Sequence, residues 1–145
     1  MATQFTAKVS VTINAPSDRV WRGLTDPALI KQYLFGTDAV SDWKSGSPIR
    51  YRGVWEGKPY EDKGTILEAV PGRILRSTYW SAASGLPDSP ENYNTVTQTL
   101  EEKNGVTTLE LTQDNCPSRE SADHSAANWK MVLGKLKELL EKPAA

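Results

Sequence analysis

The residues of this chain that could do chemistry are few and scattered. A single histidine, His124, and a single cysteine, Cys116, stand near the expected start of the last helix. One histidine cannot build a histidine-rich metal site, so we interpret His124 as structural or solvated, with an acid or base at a cavity mouth as the alternative. A helix N-terminus can lower the pKa of a thiol, but no histidine lies beside Cys116 in sequence. We therefore interpret Cys116 as a buried or bystander thiol.

Charged residues on predicted strands are the other candidates for acid–base chemistry. Glu68 and Arg76 fall on opposite faces of a hairpin predicted around Pro71-Gly72, so one of them could point into the interior. A carboxylate buried there would have a raised pKa and could act as an acid or base. Arg52 is expected to pair instead with Glu61 across the preceding hairpin, as a solvated ion pair.

The spacings that define common catalytic and cofactor-binding motifs are absent from the sequence. It contains no GxGxxG loop, Walker loop, GxSxG, HExxH or CxxC. The sequence therefore predicts no metal ligand, no cofactor and no catalytic residue. It leaves enzymatic activity uncertain and favours a protein that is not an enzyme.

Length and charge argue against several classes of protein. The 145 residues predict one domain spanning residues 1–145. The net charge of −1 argues against nucleic-acid binding, because such proteins usually carry a basic face. No apolar segment approaches the roughly 20 residues that a membrane span needs, and residues 1–8 hold no apolar signal core. We expect a cytoplasmic protein without a membrane span.

Residue patterning predicts the elements that would position these side chains. Apolar residues alternate with polar ones over residues 5–14, which is typical of a half-buried strand. Ser17 is predicted to be the N-cap of a short helix, and Asp26-Pro27 to be the N-cap and first residue of a second. Between residues 35 and 113 the pattern indicates turns and strands, with Ser81 to Asn92 as a loop.

A two-residue turn at Asn104-Gly105 fixes the register of one predicted hairpin. Three cross-strand pairs then share a face: Val96 with Gln113, Gln98 with Leu111, and Leu100 with Leu109. The amides of Gln98 and Gln113 on this apolar face need hydrogen-bond partners, which could be each other, the backbone, water or a ligand. The hairpin around Pro71-Gly72 is less decisive, because both of its faces are mixed and neither is identified as buried.

The last segment carries large apolar residues at helical spacing. They are Trp129, Val132, Leu133, Leu136, Leu139 and Leu140. This stripe predicts an amphipathic helix that begins near Ser118 or Ser121. About 24 residues at ~1.5 Å each are long enough to cross a small sheet.

Aromatic residues are the most distinctive feature of the composition, with five Trp, five Tyr and two Phe. The five tryptophans are Trp21, Trp43, Trp55, Trp80 and Trp129, spread over five predicted elements. Core packing with some exposure at the rim is one interpretation. An aromatic-lined pocket for a flat or apolar ligand is the other.

Several short motifs follow one another in a recognisable order. They are Ile13 to Trp21, with its Ala-Pro and Val-Trp; Gly64-Thr65-Ile66; Pro71-Gly72; Thr78-Tyr79-Trp80; and the helix from Trp129 to Leu140. This order resembles the START-like (SRPBCC) helix-grip superfamily, and within it the branch related to the activator of the 90-kDa heat-shock protein ATPase. The resemblance implies an α+β fold. A curved antiparallel sheet of about six to seven strands wraps a long C-terminal helix, with two short helices after the first strand.

The resemblance also implies a cavity between the long helix and the sheet, where related folds hold lipids, sterols, polyketides or other apolar molecules. Non-catalytic binding of a small lipid, polyketide or aromatic compound is the favoured hypothesis. A cyclase, dehydratase or hydrolase using the same cavity is one alternative, and a stress-response or chaperone-related protein-interaction module is another. The cavity candidates are Trp55, Tyr79, Trp80, Val96, Gln98, Leu111, Gln113, Trp129, Leu133 and Leu136. The sequence does not decide whether the protein is a monomer or a homodimer.

Overall fold

The structure is a computed structural model that describes residues 5–34, 36–55, 57–81, 87–116 and 118–141, without the side chain of Trp55. Over these ranges the strands are β1 (Phe5–Ile13), β2 (Asp38–Ser41), β3 (Pro48–Trp55), β4 (Lys58–Val70), β5 (Ile74–Ser81), β6 (Asn94–Lys103) and β7 (Val106–Cys116). The helices are α1 (Ser17–Thr25), α2 (Pro27–Tyr33) and α3 (Arg119–Glu141), and a 3₁₀ turn covers Pro90–Asn92.

The strands form one antiparallel sheet in the order β1-β7-β6-β5-β4-β3-β2. From β2 to β7 each strand pairs with the next in the chain, and β1 returns to pair with β7. The helix α3 packs on the inner face of this curved sheet, against β1 and β7, and contacts α1 and α2 at its sides. The α+β helix-grip architecture predicted from the sequence is confirmed.

The hairpin of β6 and β7 has the register that its turn predicts. Asn104 and Gly105 both have positive φ, at 55° and 80°, as a type I′ turn requires. The three predicted pairs, Val96 with Gln113, Gln98 with Leu111, and Leu100 with Leu109, are all present. Local turn chemistry and the alternation of apolar residues therefore agree in this part of the sheet.

A β-bulge decides the buried face of the hairpin of β4 and β5. Ile66 pairs with Ser77, but Glu68 pairs with Arg76, so Leu67 is an extra residue in β4. The bulge lets Ile66 and Ala69 both pack against the core although they are three residues apart. Apolar and polar residues therefore look mixed on both faces of this hairpin because β4 changes register at Leu67.

The same bulge corrects the prediction for Glu68 and Arg76. They do not lie on opposite faces, because the extra residue sets them directly opposite each other on the outer face. A carboxylate oxygen of Glu68 lies 3.5 Å from the Arg76 guanidinium, and both side chains are more than 40% exposed. Neither points into the interior, so the hypothesis of a buried acid or base at Glu68 is wrong.

Two of three predicted helix starts are confirmed. The side chain of Asp26 accepts a hydrogen bond from the Ala28 backbone N–H at 3.0 Å and caps α2. The side chain of Ser118, immediately before α3, accepts a hydrogen bond from the Ser121 backbone N–H at 3.0 Å and caps that helix. The prediction for Ser17 is wrong by one residue, because Ser17 is the first residue of α1 and its own side chain makes no cap.

The start of α1 is capped instead from the sheet. The Ser17 backbone N–H donates to the Glu102 carboxylate at 2.6 Å, across 85 positions in the chain. A carboxylate also complements the positive end of the helix dipole. Because Glu102 lies on a distant strand, the cap of α1 leaves no signal in the sequence near Ser17.

Candidate functional site

A pocket of about 610 Å³ lies between α3, the short helices and the inner face of the sheet. This volume is within the range of roughly 300–1,000 Å³ that small-molecule sites occupy. We call the helical side of the pocket its roof and the sheet side its floor. Apolar residues of the roof are Leu24, Ile30, Leu34, Val132 and Leu133.

The floor carries polar side chains on five neighbouring strands. They are Tyr51 on β3, Asp62 on β4, Tyr79 and Ser77 on β5, Gln98 on β6 and Gln113 on β7. Cross-strand pairs share a face of a sheet. Tyr51 pairs with Asp62, and Ser77 pairs with Val96. The pocket is therefore mainly apolar on its helical side, where Ser125 and Asn128 of α3 are polar, and mainly polar along its floor, where Val96 is apolar.

The tyrosines of the floor are held close to a carboxylate. The Tyr79 hydroxyl donates to Asp62 Oδ2 at 2.7 Å, and the rings of Tyr51 and Tyr79 lie 6.4 Å apart in a tilted arrangement. Burial, and then the nearby Asp62 carboxylate, raise the pKa of both phenols well above the ordinary value for tyrosine. Both therefore stay neutral and can donate hydrogen bonds at any physiological pH.

Other polar groups of the lining already have partners inside the protein. The Trp129 indole Nε1 donates to Gln113 Oε1 at 2.7 Å, which answers the question of what the Gln113 amide contacts. The buried Tyr33 hydroxyl donates to the Gly23 carbonyl at 2.8 Å. These bonds fix the two aromatic side chains against the rest of the pocket wall.

Six of the candidates predicted from the sequence line the pocket: Tyr79, Val96, Gln98, Gln113, Trp129 and Leu133. Leu111 and Leu136 face inward but are completely buried in the core beyond the pocket. Trp80 lies on the outer face, because it directly follows the inward-facing Tyr79 in a strand. The prediction for Trp55 falls on a side chain outside the described residues.

Trp80 belongs to a separate cluster on the outer face of β4 and β5. Its ring stacks on Tyr93 with the centroids 6.4 Å apart, and the Lys63 ammonium lies 5.6 Å from the Trp80 ring. Lys63 forms an ion pair with Asp88, which also accepts a hydrogen bond from the Tyr93 hydroxyl at 2.6 Å. These contacts attach residues 87–93 to the sheet and take no part in the pocket.

Sequence reasoning missed Tyr51, Asp62 and Ser77 on the floor. A signal for the first two was present, because Arg52 pairs with the Glu61 carboxylate at 2.6 Å on the outer face, as predicted. Alternation along β3 and β4 then places Tyr51 and Asp62 on the inner face. Ser77 had no comparable signal, since the bulge in the paired strand hides which face of β5 is buried.

The remaining reactive residues lie away from the pocket. His124 is exposed on α3, and Cys116 is a buried free thiol in a smaller cluster with Ala7 and Ala122. Burial raises the pKa of the Cys116 thiol, which makes it less reactive at neutral pH. Within the described ranges, no group of three or more metal-ligating side chains is assembled, and no helix is long and apolar enough to cross a membrane.

A curved antiparallel sheet that wraps a long helix, with a pocket between them, defines the chain as a helix-grip protein of the START-like class. Within this class it belongs to the family of Activator of Hsp90 ATPase homolog 1-like proteins, whose model matches residues 14–141. A comparison with curated proteins found no match.

Solved structures with the same fold include close and distant relatives. The protein ChR145 from Cytophaga hutchinsonii is 47% identical, with 97% of both chains covered and a TM-score of 0.85. DynU16, a protein in the dynemicin biosynthetic locus, is 25% identical with a TM-score of 0.75, and the match covers 94% of this chain and 47% of that one. The Aha1 dimer from Colwellia psychrerythraea is 17% identical, with 97% and 99% covered and a TM-score of 0.75, and it shows the shared fold alone.

Proposed function

We propose that this protein binds a small apolar or aromatic molecule in the pocket beneath α3 and does not transform it chemically. The observation that carries the proposal is the pocket of about 610 Å³, which the aromatic side chains of the described residues leave unfilled. Burial of apolar ligand surface against the roof would supply the main free energy of binding. Trp129, fixed by Gln113, forms part of the wall and would contact the ligand.

Binding is favoured over catalysis by the state of the ionisable groups. Among the described lining residues the single carboxylate is Asp62, and one of its oxygens is engaged by the Tyr79 hydroxyl. His124, Cys116 and Glu68 all lie elsewhere. A general acid–base mechanism needs a convergent acid and base whose pKa values lie near the working pH. The phenols beside Asp62 have pKa values raised well above that range, so they are poor general acids.

The family and its relatives are compatible with this function. Helix-grip proteins of this kind have a ligand-binding fold, and DynU16 is a protein in the dynemicin biosynthetic locus. We further propose that the protein acts in the cytoplasm, where a free thiol such as Cys116 stays reduced.

The direct test measures binding of the neutral, apolar dye Nile red by its fluorescence. Ser125 lines the pocket from α3, whereas Ala127 lies on the exposed side of the same helix. We expect the wild-type protein to bind the dye and the substitution Ser125→Trp, which places a large ring at the pocket wall, to weaken binding at least tenfold. The matched variant Ala127→Trp is expected to bind like the wild type.

Circular dichroism and thermal unfolding would establish that both variants are folded. The proposal fails if the wild-type protein does not bind the dye. It also fails if Ser125→Trp and Ala127→Trp bind it equally well, because the dye would then occupy another surface.

A further inference from the structure

The strand β1 forms one edge of the sheet, because among the described strands it pairs only with β7. An edge strand presents a row of backbone N–H and C=O groups to which a strand of another chain can bind. At nine residues β1 is longer than a typical strand. Five of its residues are β-branched, which favours strand pairing: Thr6, Val9, Val11, Thr12 and Ile13. Length and composition therefore make this edge a surface on which a further strand could pair.

Two side chains of α3 occupy this edge where β1 ends. The Lys137 ammonium donates to the Thr12 carbonyl oxygen at 2.7 Å, and the Asn14 backbone N–H donates to Glu141 Oε2 at 2.8 Å. The Lys137 ammonium also lies 2.5 Å from the same Glu141 oxygen. We call Lys137 and Glu141 the edge cap, because this one ion pair binds both a carbonyl and an N–H of the edge.

The backbone groups bound by the edge cap point away from the rest of the sheet. In an antiparallel pair, the backbone groups of successive residues point alternately toward the partner strand and away from it. Since the Thr12 carbonyl bonds to Lys137, the backbone groups of Thr12 and of Ser10, two residues earlier, face the free edge. The edge cap therefore supplies one donor and one acceptor at the place where a neighbouring strand would supply them.

The edge cap is held in place by the course of α3 along β1. Near the start of the strand, Ala7 packs in one cluster with Ala122 of the helix, and near its end Thr12 and Asn14 meet the edge cap. The two residues of the edge cap are four apart, so they project from the same side of the helix. The bonds from Lys137 and from the Asn14 N–H hold the pKa of the Glu141 carboxyl below its ordinary value, which keeps it charged at neutral pH.

We propose that the edge cap takes the place of a further strand beside β1 and so prevents this edge from pairing with β1 of a second copy of the protein. Charged side chains at a sheet edge are a known means of preventing such pairing. Two copies that meet through the same edge are related by a two-fold axis, so their strands run antiparallel. The capped end of each strand then lies beside the uncapped end of the other, and one edge cap per copy blocks both ends of the contact.

The test compares the association of the wild-type protein and the double variant Lys137→Ala/Glu141→Ala by sedimentation velocity. Alanine favours helix, so these substitutions remove the edge cap and preserve α3. We expect the double variant to dimerise at least about tenfold more tightly than the wild-type protein. Lys130→Ala/Glu138→Ala is the matched control, because it removes the same two charges at exposed positions of the same helix. This control should dimerise no more than the wild type.

Amide hydrogen exchange would show where the two copies meet. The Asn14 N–H should exchange slowly in the wild-type protein and faster in the double variant, which lacks its acceptor. The Ser10 N–H, which faces the free edge, should exchange quickly in the wild type and slowly in the dimer. Ser10→Pro removes this donor without removing a bond to β7. Added to the double variant, Ser10→Pro should restore the monomer.

Three results would overturn the proposal. The first is a folded double variant that loses protection at Asn14 and still dimerises no more than the wild type. The second is a wild-type protein that already dimerises with a protected Ser10 amide. The third is a dimer of the double variant in which that amide exchanges quickly, because another surface would then hold the two copies together.

A single substitution gives the same test if the double variant does not fold. Lys137→Met keeps the aliphatic part of the side chain and uncovers the Thr12 carbonyl alone, so it should increase dimerisation by a smaller factor. A folded Lys137→Met protein that dimerises no more than the wild type would contradict the proposal. None of these measurements involves the pocket, so their outcome leaves the proposed function unaffected.

Discussion

The space beneath α3 has a closed half and an open half, although one helix and one sheet form both. In the closed half, Leu136 and Leu140 are 0% and 4% exposed, and a Cβ atom at Gly23 of α1 would lie 2.8 Å from Leu136 Cδ1. In the open half, about two to three turns before Leu136, Trp129 and Ser125 line the pocket. The size and spacing of residues along one helix therefore decide where the interior is filled.

The sheet repeats this division. Under the closed half the inner face carries Leu109 and Leu111, both completely buried. Under the open half it carries Tyr51, Ser77 and Gln98, whose polar groups favour water or a ligand over collapse. The pocket therefore depends on two features together. The helix carries small or amphipathic residues there, and the strands that face them carry polar residues.

The largest effect is expected at Gly64, where β4 and β5 leave no room for a side chain. A Cβ atom at Gly64 of β4 would lie 1.8 Å from the Thr78 backbone carbonyl oxygen, which cannot move without breaking the sheet. Gly64→Ala should therefore cost about 5 kcal/mol or more, enough to unfold a domain of ordinary stability. Urea denaturation followed by circular dichroism measures this loss.

Gly134 on α3 is the matched control, since a Cβ atom there meets nothing within 4 Å. Gly134→Ala should raise stability by up to about 1 kcal/mol, because alanine favours helix. A Gly64→Ala protein as stable as the wild type would show that this close approach does not shape the open half.

The next effect compares two leucines of α3 directly. Both are buried, at 1% exposure for Leu133 and 0% for Leu136, but Leu133 also borders the pocket on one side and Leu136 does not. Leu136→Ala should lower the free energy of unfolding by about 2–5 kcal/mol. Leu133→Ala should cost less, because its side chain loses fewer contacts, but it should alter the affinity for Nile red more. Equal costs, together with unchanged dye binding in Leu133→Ala, would contradict the division into two halves.

A smaller effect is expected from the bond that holds the pocket wall. Trp129→Phe and Gln113→Leu each remove the hydrogen bond between the indole and the amide, at a cost of about 1 kcal/mol. In a double-mutant cycle the two costs should not add, because either substitution alone removes the bond. Additive costs in urea denaturation would mean that the bond contributes no free energy of its own.

The smallest effect concerns the outer face of β3 and β4, beneath the open half. The hydrogen bond from Arg52, with help from Arg50, holds the pKa of Glu61 below its ordinary value of about 4.5. A carboxyl whose pKa is lowered by folding stabilises the protein above its unfolded-state pKa, and the contribution is lost as the pH falls through the folded value. Glu61→Gln should therefore destabilise the protein slightly at pH 7 and progressively less below pH 4.5.

Urea midpoints at pH 7 and pH 3.5 would measure this difference. In an Arg52→Gln background the effect of Glu61→Gln at pH 7 should shrink. An effect that is the same at both pH values, or independent of Arg52, would contradict the assignment. The size is expected to be small because exposed ion pairs contribute little.

The sequence by itself determined the elements whose signals are local. The turn at Asn104-Gly105 and the alternation on its two sides set the register of β6 and β7, because turn geometry and strand periodicity act over a few residues. The leucine stripe of α3 and the cap at Asp26 were readable for the same reason, and the start of α3 was narrowed to Ser118 or Ser121.

Only the tertiary structure decided which inward-facing residues enclose the pocket. Periodicity tells which face of an element is buried, but it does not distinguish Leu136, packed in the core, from Leu133, which borders open space. The bulge at Leu67 adds one residue to a strand, and the cap of Ser17 comes from Glu102, so both depend on parts of the chain that are distant in sequence. A pocket is the volume that several elements together leave unfilled, and that volume exists only once they are packed.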